Sequence, residues 1–145
     1  MSLDGDYAPS PSRWVRDQVS TIVAAGDTRA VTVDGFPGLV LITMRGRASG
    51  AVRKVPVIRV EHEGRYAALA SYGGSPTDPQ WAHNLRAGPD VEVLDGTTSR
   101  PMRARELVGE ERAPWWDRAV AQFPEYAQYQ TRTQRQIPVF LLEPR

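Results

Sequence analysis

The sequence predicts an α+β domain whose mainly antiparallel sheet curls toward a barrel, with helices at its flanks, and three observations carry that expectation. Six or seven short runs rich in β-branched residues recur along the 145 residues. Most are joined by hairpin-type turns containing Gly or Pro. Three or four amphipathic stretches interrupt them without strict strand–helix alternation, which argues against a doubly wound parallel sheet.

Residues 1–11 carry Gly, Asp, Ser and two prolines before any periodicity, so they read as a flexible tail ahead of one domain spanning 12–145. Apolar Trp14, Val15, Val19, Ile22 and Val23 then recur at helical spacing, with Ser12 as cap and Gly26 as stop. Arg13 and Arg16 flank Trp14, so peripheral membrane contact and cover for a cofactor edge are both open roles for this helix. A strand is expected over 29–33, closed by Asp34-Gly35.

The stretch from Leu39 to Val60 reads as strand, glycine-containing loop and strand (39–43 and 55–60). It holds Arg45, Arg47, Arg53, Lys54 and Arg59 with no acidic residue among them. Such a cation cluster calls for an anion, and Gly46 and Gly50 could turn backbone N–H groups inward as a nest, with the Ser49 hydroxyl adding a donor. Pro56 confines its strand to a sheet edge or a bulge.

Glu63-Gly64 is a hairpin turn into a strand over 65–71. The loop 72–79 frees the backbone at Gly73 and Gly74, and Asp78 is expected to cap a helix that begins at Pro79 and stops at Gly88-Pro89. Gln80 and Asn84 share a face of that helix, beside Trp81. Strands follow over 91–94 and 102–107 around Asp95-Gly96. Helices over 110–123 and 125–133 flank Pro124, and Tyr126 and Tyr129 sit one turn apart. A strand over 137–142 is the last element.

Composition narrows the function. The chain is 41% hydrophobic and 24% charged, near globular averages, which disfavours disorder and coiled coil. Zero cysteines removes thiolate catalysis and cysteine metal sites. His62 and His83 lack ligand-spaced partners, and no nucleophile elbow occurs. Any redox or transfer chemistry therefore needs a cofactor. A net charge of +1, with no aromatic residues interleaved in the basic loop, disfavours nucleic acid. No signal peptide or apolar run of membrane length is visible, so a cytoplasmic protein is expected.

Three segments in order, LITMRGRASGAVRKVPV, LASYGGSPTDPQWAHNLRAGPDVEV and FPEYAQYQTRTQRQIPVFLLEP, together resemble the deazaflavin-dependent nitroreductase and quinone reductase family, over residues 36–144. The resemblance implies a split β-barrel and coenzyme F-420 as cofactor. It also implies hydride transfer to a small electron-poor acceptor such as a quinone, nitroaromatic or unsaturated lactone. It assigns the cofactor's phosphate and acidic tail to Arg47, Ala48, Ser49, Gly50, Arg53 and Lys54. The ring and ribityl chain fall to Pro56, Ser71, Tyr72, Gly73, Gly74, Gln80, Trp81, Asn84 and Leu85. Tyr126 and Tyr129, near Phe123, face the acceptor, with Tyr126 a candidate proton donor. Ala48 stands where many relatives carry lysine, and Ala82 where an aromatic is common. An FMN enzyme of the same fold and a non-catalytic F-420 carrier are the alternatives, and monomer and homodimer are both open.

Overall fold

The computed structural model describes residues 3, 5–32, 35 and 37–145. Helix α1 (Arg13–Ala25) starts where Ser12 Oγ accepts from the Val15 N–H, and it stops at Gly26, whose φ of 65° is left-handed. Strands β1 (Leu39–Arg45), β2 (Val52–Ile58), β3 (Glu61–His62), β4 (Arg65–Leu69), β5 (Asp90–Asp95), β6 (Thr98–Glu106) and β7 (Val139–Pro144) make one sheet. Its order is β2-β1-β5-β6-β7-β4-β3, and all neighbouring pairs are antiparallel. Helices α2 (Gln80–Ala87), α3 (Gly109–Gln122) and α4 (Glu125–Thr131) complete the fold.

The first and last strands of that order, β2 and β3, are joined by Arg59 and Val60 alone. Val60 O accepts from the Ala67 N–H of β4 at 2.9 Å, so the two edges of the sheet meet at this bend. Asp95 pins the same end, taking Arg59 Nε at 3.0 Å and the Tyr66 hydroxyl at 2.6 Å. Burial and that hydrogen bond push the Tyr66 hydroxyl up to about 12. Further along β2 the sheet is split, and Pro56 lies on this edge strand as its missing N–H requires.

Strand alternation sorts the core onto two faces. Ile42, Met44, Val91, Val93, Phe140 and Leu142 pack with Ala82 and Leu85 of α2. Ala67, Leu69, Val139 and Leu141 face Trp115, Ala119, Phe123 and Tyr126 of the α3–α4 region. Helix α1 lays Val19 and Ile22 on Leu41.

Three local expectations change. Where strand is expected over 29–33, Thr28–Ala30 is a 3-10 turn, because Asp27 Oδ1 accepts from the Arg29 N–H at 2.9 Å and caps it; Val33 and Asp34 lie outside the described residues. Asp78 does not cap α2, since Arg135 and Arg86 take its two carboxylate oxygens at 2.8 and 3.0 Å, and Pro79 holds the cap position. Residues 6–8, expected to be tail, lie along the free edge of β2, with Ala8 N donating to Val52 O and Val52 N to Asp6 O.

Candidate active site

A cavity of about 280 Å³ opens at the split side of the barrel. Its walls come from four places: Pro56 and Val57 on β2, Ser71–Gly73 after β4, Pro79 and Trp81 at the start of α2, and Phe123, Tyr126 and Tyr129 around α4. Trp14, Val15 and Gln18 of α1 close the rim, which gives the Trp14–Val15 pair a role without invoking a membrane. No helix among the described residues is long and apolar enough to cross one.

Chemically the cavity is aromatic and apolar, with Ser71, Tyr72, Tyr126 and Tyr129 as its hydroxyl-bearing residues. Tyr126 is 4% exposed, and its ring stacks edge-on against Phe123 and Tyr129 at centroid distances of 5.1 and 6.3 Å. No hydrogen-bond partner for its hydroxyl occurs among the described residues. Burial, and then the neighbouring Tyr129, hold its pKa well above the ordinary tyrosine range, so the hydroxyl stays protonated at physiological pH.

The ring candidates separate into two sets. Pro56, Ser71, Tyr72, Gly73 and Trp81 line the cavity together with Tyr126 and Tyr129. Gly74 stands behind that wall, packed on α4. Gln80 is exposed, and Leu85 is 2% exposed within the barrel core, so its side chain serves packing and is closed off from the cavity. Asn84 acts on the basic loop instead, because its Oδ1 accepts from the Arg47 N–H at 2.9 Å and ties that loop to α2. Ala82 is fully buried beneath the helix, where an alanine lets α2 sit close on the sheet.

The basic loop differs from the expected nest. Gly46 N donates to Ala51 O, Gly50 N to Gly46 O and Ala51 N to Ser49 Oγ, while the Arg47 N–H is held by Asn84. The amides of residues 46, 50 and 51 are thereby spent on the loop's own shape and that of 47 on α2, and the loop offers side chains to an anion. Arg47, Ala48, Ser49 and Gly50 are all exposed. Arg53 and Lys54, expected to grip one tail, alternate across β2. Arg53 pairs in register with Met44, on the face that carries Asn84, and its Nη1 donates to Ala8 O and Pro9 O at 3.2 and 3.0 Å. Lys54 points to the opposite face, where its Nζ meets Thr43 Oγ1 at 3.1 Å and burial lowers its pKa, partly offset by Glu92.

Sequence reasoning missed Gln18, Val57 and Pro79 as cavity walls, because each belongs to an element assigned only to packing or capping. It missed Arg135 too, which lies in the irregular segment after α4 where no periodicity marks it.

A family profile described as F420H(2)-dependent quinone reductase matches residues 14–144. The F420H(2)-dependent quinone reductase Rv1261c of Mycobacterium tuberculosis is 31% identical over 123 residues, covering 76% of each chain. A solved F420-H2 dependent reductase is 52% identical with a TM-score of 0.69, over 72% of this chain and 93% of that one. A solved domain-swapped dimer is 49% identical with a TM-score of 0.73, over 92% of this chain and all of its own. On the profile match over residues 14–144 and these identities, the chain belongs to the F420H(2)-dependent quinone reductase family and is a reductase that uses coenzyme F-420.

Proposed function

We propose that the cavity takes the deazaflavin ring and the acceptor together, while the cofactor's anionic tail runs toward the Arg47–Arg53 face of β2, and that the acceptor is a quinone or a similarly flat electron-poor molecule. The Tyr126 side chain, 4% exposed and lining an aromatic cavity, is the observation that carries this reading. A cavity of about 280 Å³ lies just below the roughly 300–1,000 Å³ of small-molecule sites, which suits a ring system with the polar remainder of the ligand outside. Bound F-420 supplies a hydride in a two-electron step. The chain's own part is position and a proton: Trp81, Pro56 and Val57 exclude water and hold flat surfaces, and Tyr126 donates its proton to the acceptor oxygen and regains one from solvent. Of the two oligomeric states left open, the domain-swapped neighbour supports the homodimer.

Titration of intrinsic tryptophan fluorescence tests the cofactor assignment, because Trp81 lines the cavity. F-420 should quench it at lower concentration than FMN or NADPH, and reduced F-420 should be oxidised by menadione. Tighter response to FMN, or no acceptor-dependent oxidation, would overturn the reading.

The alternation of Arg53 and Lys54 makes a second expectation. Arg53→Ala should weaken F-420 by about 1.5–3 kcal/mol at low salt, the range for charge-assisted hydrogen bonds, and Lys54→Ala by less than roughly 0.5 kcal/mol. Equal losses in isothermal titration would mean that both side chains reach one anion, against the face assignment.

A further inference from the structure

We infer that Arg135 is a positioning residue for the reduction: it fixes the distance between the two walls of the cavity. Its side chain is only 16% exposed and lies outside the cavity lining. The guanidinium spends four of its N–H directions on one segment: Nε to Ser75 O at 2.8 Å, Nη1 to Ala70 O at 3.1 Å and to Asp78 Oδ1 at 2.8 Å, and Nη2 to Ser71 O at 2.8 Å. Three carbonyls and a carboxylate are thereby gathered around a single planar fork. The backbone of residue 135 is in turn held to α4, since Gln130 Nε2 donates to Arg135 O at 2.8 Å and Gln130 Oε1 accepts from the Ile137 N–H at 2.9 Å.

The clamp thus joins α4, which carries Tyr126 and Tyr129, to the loop that carries Ser71, Tyr72 and Gly73. That loop needs holding. Tyr72 sits at a φ of 47°, a left-handed conformation uncommon for a residue with a Cβ, and the residue is 62% exposed at the cavity wall. Backbone strain of this kind persists where surrounding contacts over-determine it. Hydride transfer is sensitive to a wall displaced by about 1 Å, so a slack loop lowers turnover before it lowers cofactor affinity, whose tail contacts lie on the β1–β2 loop.

Arg135→Lys and Arg135→Ala separate this role from ordinary stabilisation, and the inference rests on the F-420 reading for its catalytic consequence alone. Lysine keeps the charge and the partner Asp78 but has no planar fork to span three carbonyls. With saturating F-420, Arg135→Lys should turn over menadione about tenfold or more slowly, while its affinity for F-420 changes less than about threefold and its melting temperature stays near wild type. Amide exchange at Gly74 and Ser75, whose N–H groups bond Ser71 O and Tyr72 O, should accelerate at least about tenfold in the same variant, with β5 and β6 unchanged. Full rescue of turnover and exchange by lysine, alongside loss in Arg135→Ala, would reduce the role to an ion pair with Asp78 and overturn the inference. Should wild type lack F-420-dependent turnover, the fault lies with the proposed function, and the exchange measurement still decides the clamp: unchanged exchange overturns it.

Discussion

Gly74→Ala is expected to lose about 2–5 kcal/mol of folding stability, combining roughly 1–2 kcal/mol for a left-handed L-residue with about 1–3 kcal/mol for overpacking. Gly74 has a φ of 82°, and a Cβ there would come within 2.6 Å of Tyr129 O and 2.9 Å of Arg132 Cβ. The first contact is helix backbone, so the collision is relieved only by moving α4 off the loop. Gly73→Ala is the internal control: its φ is 63°, yet nothing lies within 4 Å of the added Cβ, so only the backbone cost of about 1–2 kcal/mol applies. Urea midpoints of the two variants check the difference. Similar losses in both would show that α4 yields easily and that close packing on Gly74 matters little to the fold.

Tyr126→Phe is expected to lower turnover roughly 10²-fold, the lower end of the effect of a positioned general acid, with F-420 affinity and melting temperature nearly unchanged. Among the described residues the hydroxyl has no hydrogen-bond partner to lose, so its removal leaves none of their polar groups unsatisfied. The pH dependence follows from the raised pKa. A tyrosine whose folded pKa exceeds its unfolded value of about 10 contributes stability that is complete below pH 10 and is lost as pH rises through the folded value. Wild-type turnover should therefore show no fall from Tyr126 ionisation below about pH 10, and the phenylalanine variant should lack this share of the alkaline loss of stability. Lost stability with normal specific activity in the folded fraction would return Tyr126 to the core.

Elements governed by local chemistry were legible in the sequence. Ser12 and Gly26 bound α1, QWAHNLRA is α2, and Pro56 lies on an edge strand, each for a reason confined to a few neighbouring residues. The 29–33 misreading is local, an Asp27 cap two residues from the N–H it accepts, while two others arise where tertiary partners compete. Asp78 is a good cap in isolation, but Arg86 from the last turn of α2 and Arg135, 57 residues away, take its carboxylate. The 46–51 loop has nest-forming glycines, yet Asn84 and the loop's own carbonyls use the amides. Arg53 and Lys54 are a different case, since consecutive residues of a strand face opposite ways and the alternation was available without coordinates. Arg135 was illegible because its significance lies in carbonyl positions, which no side-chain pattern records.

The place of β7 in the sheet also governs the order of events during synthesis. Until residues 139–144 leave the ribosome, hairpin pairing can assemble β2-β1-β5-β6 on one side and β3-β4 on the other, linked covalently by the two-residue bend but without a shared strand ladder. Strand β7 then inserts between β6 and β4 and makes both ladders at once. A nascent chain released through α4 accordingly exposes two unsatisfied strand edges, one on β6 and one on β4, and depends on rapid completion or on chaperone cover to avoid pairing with a neighbour.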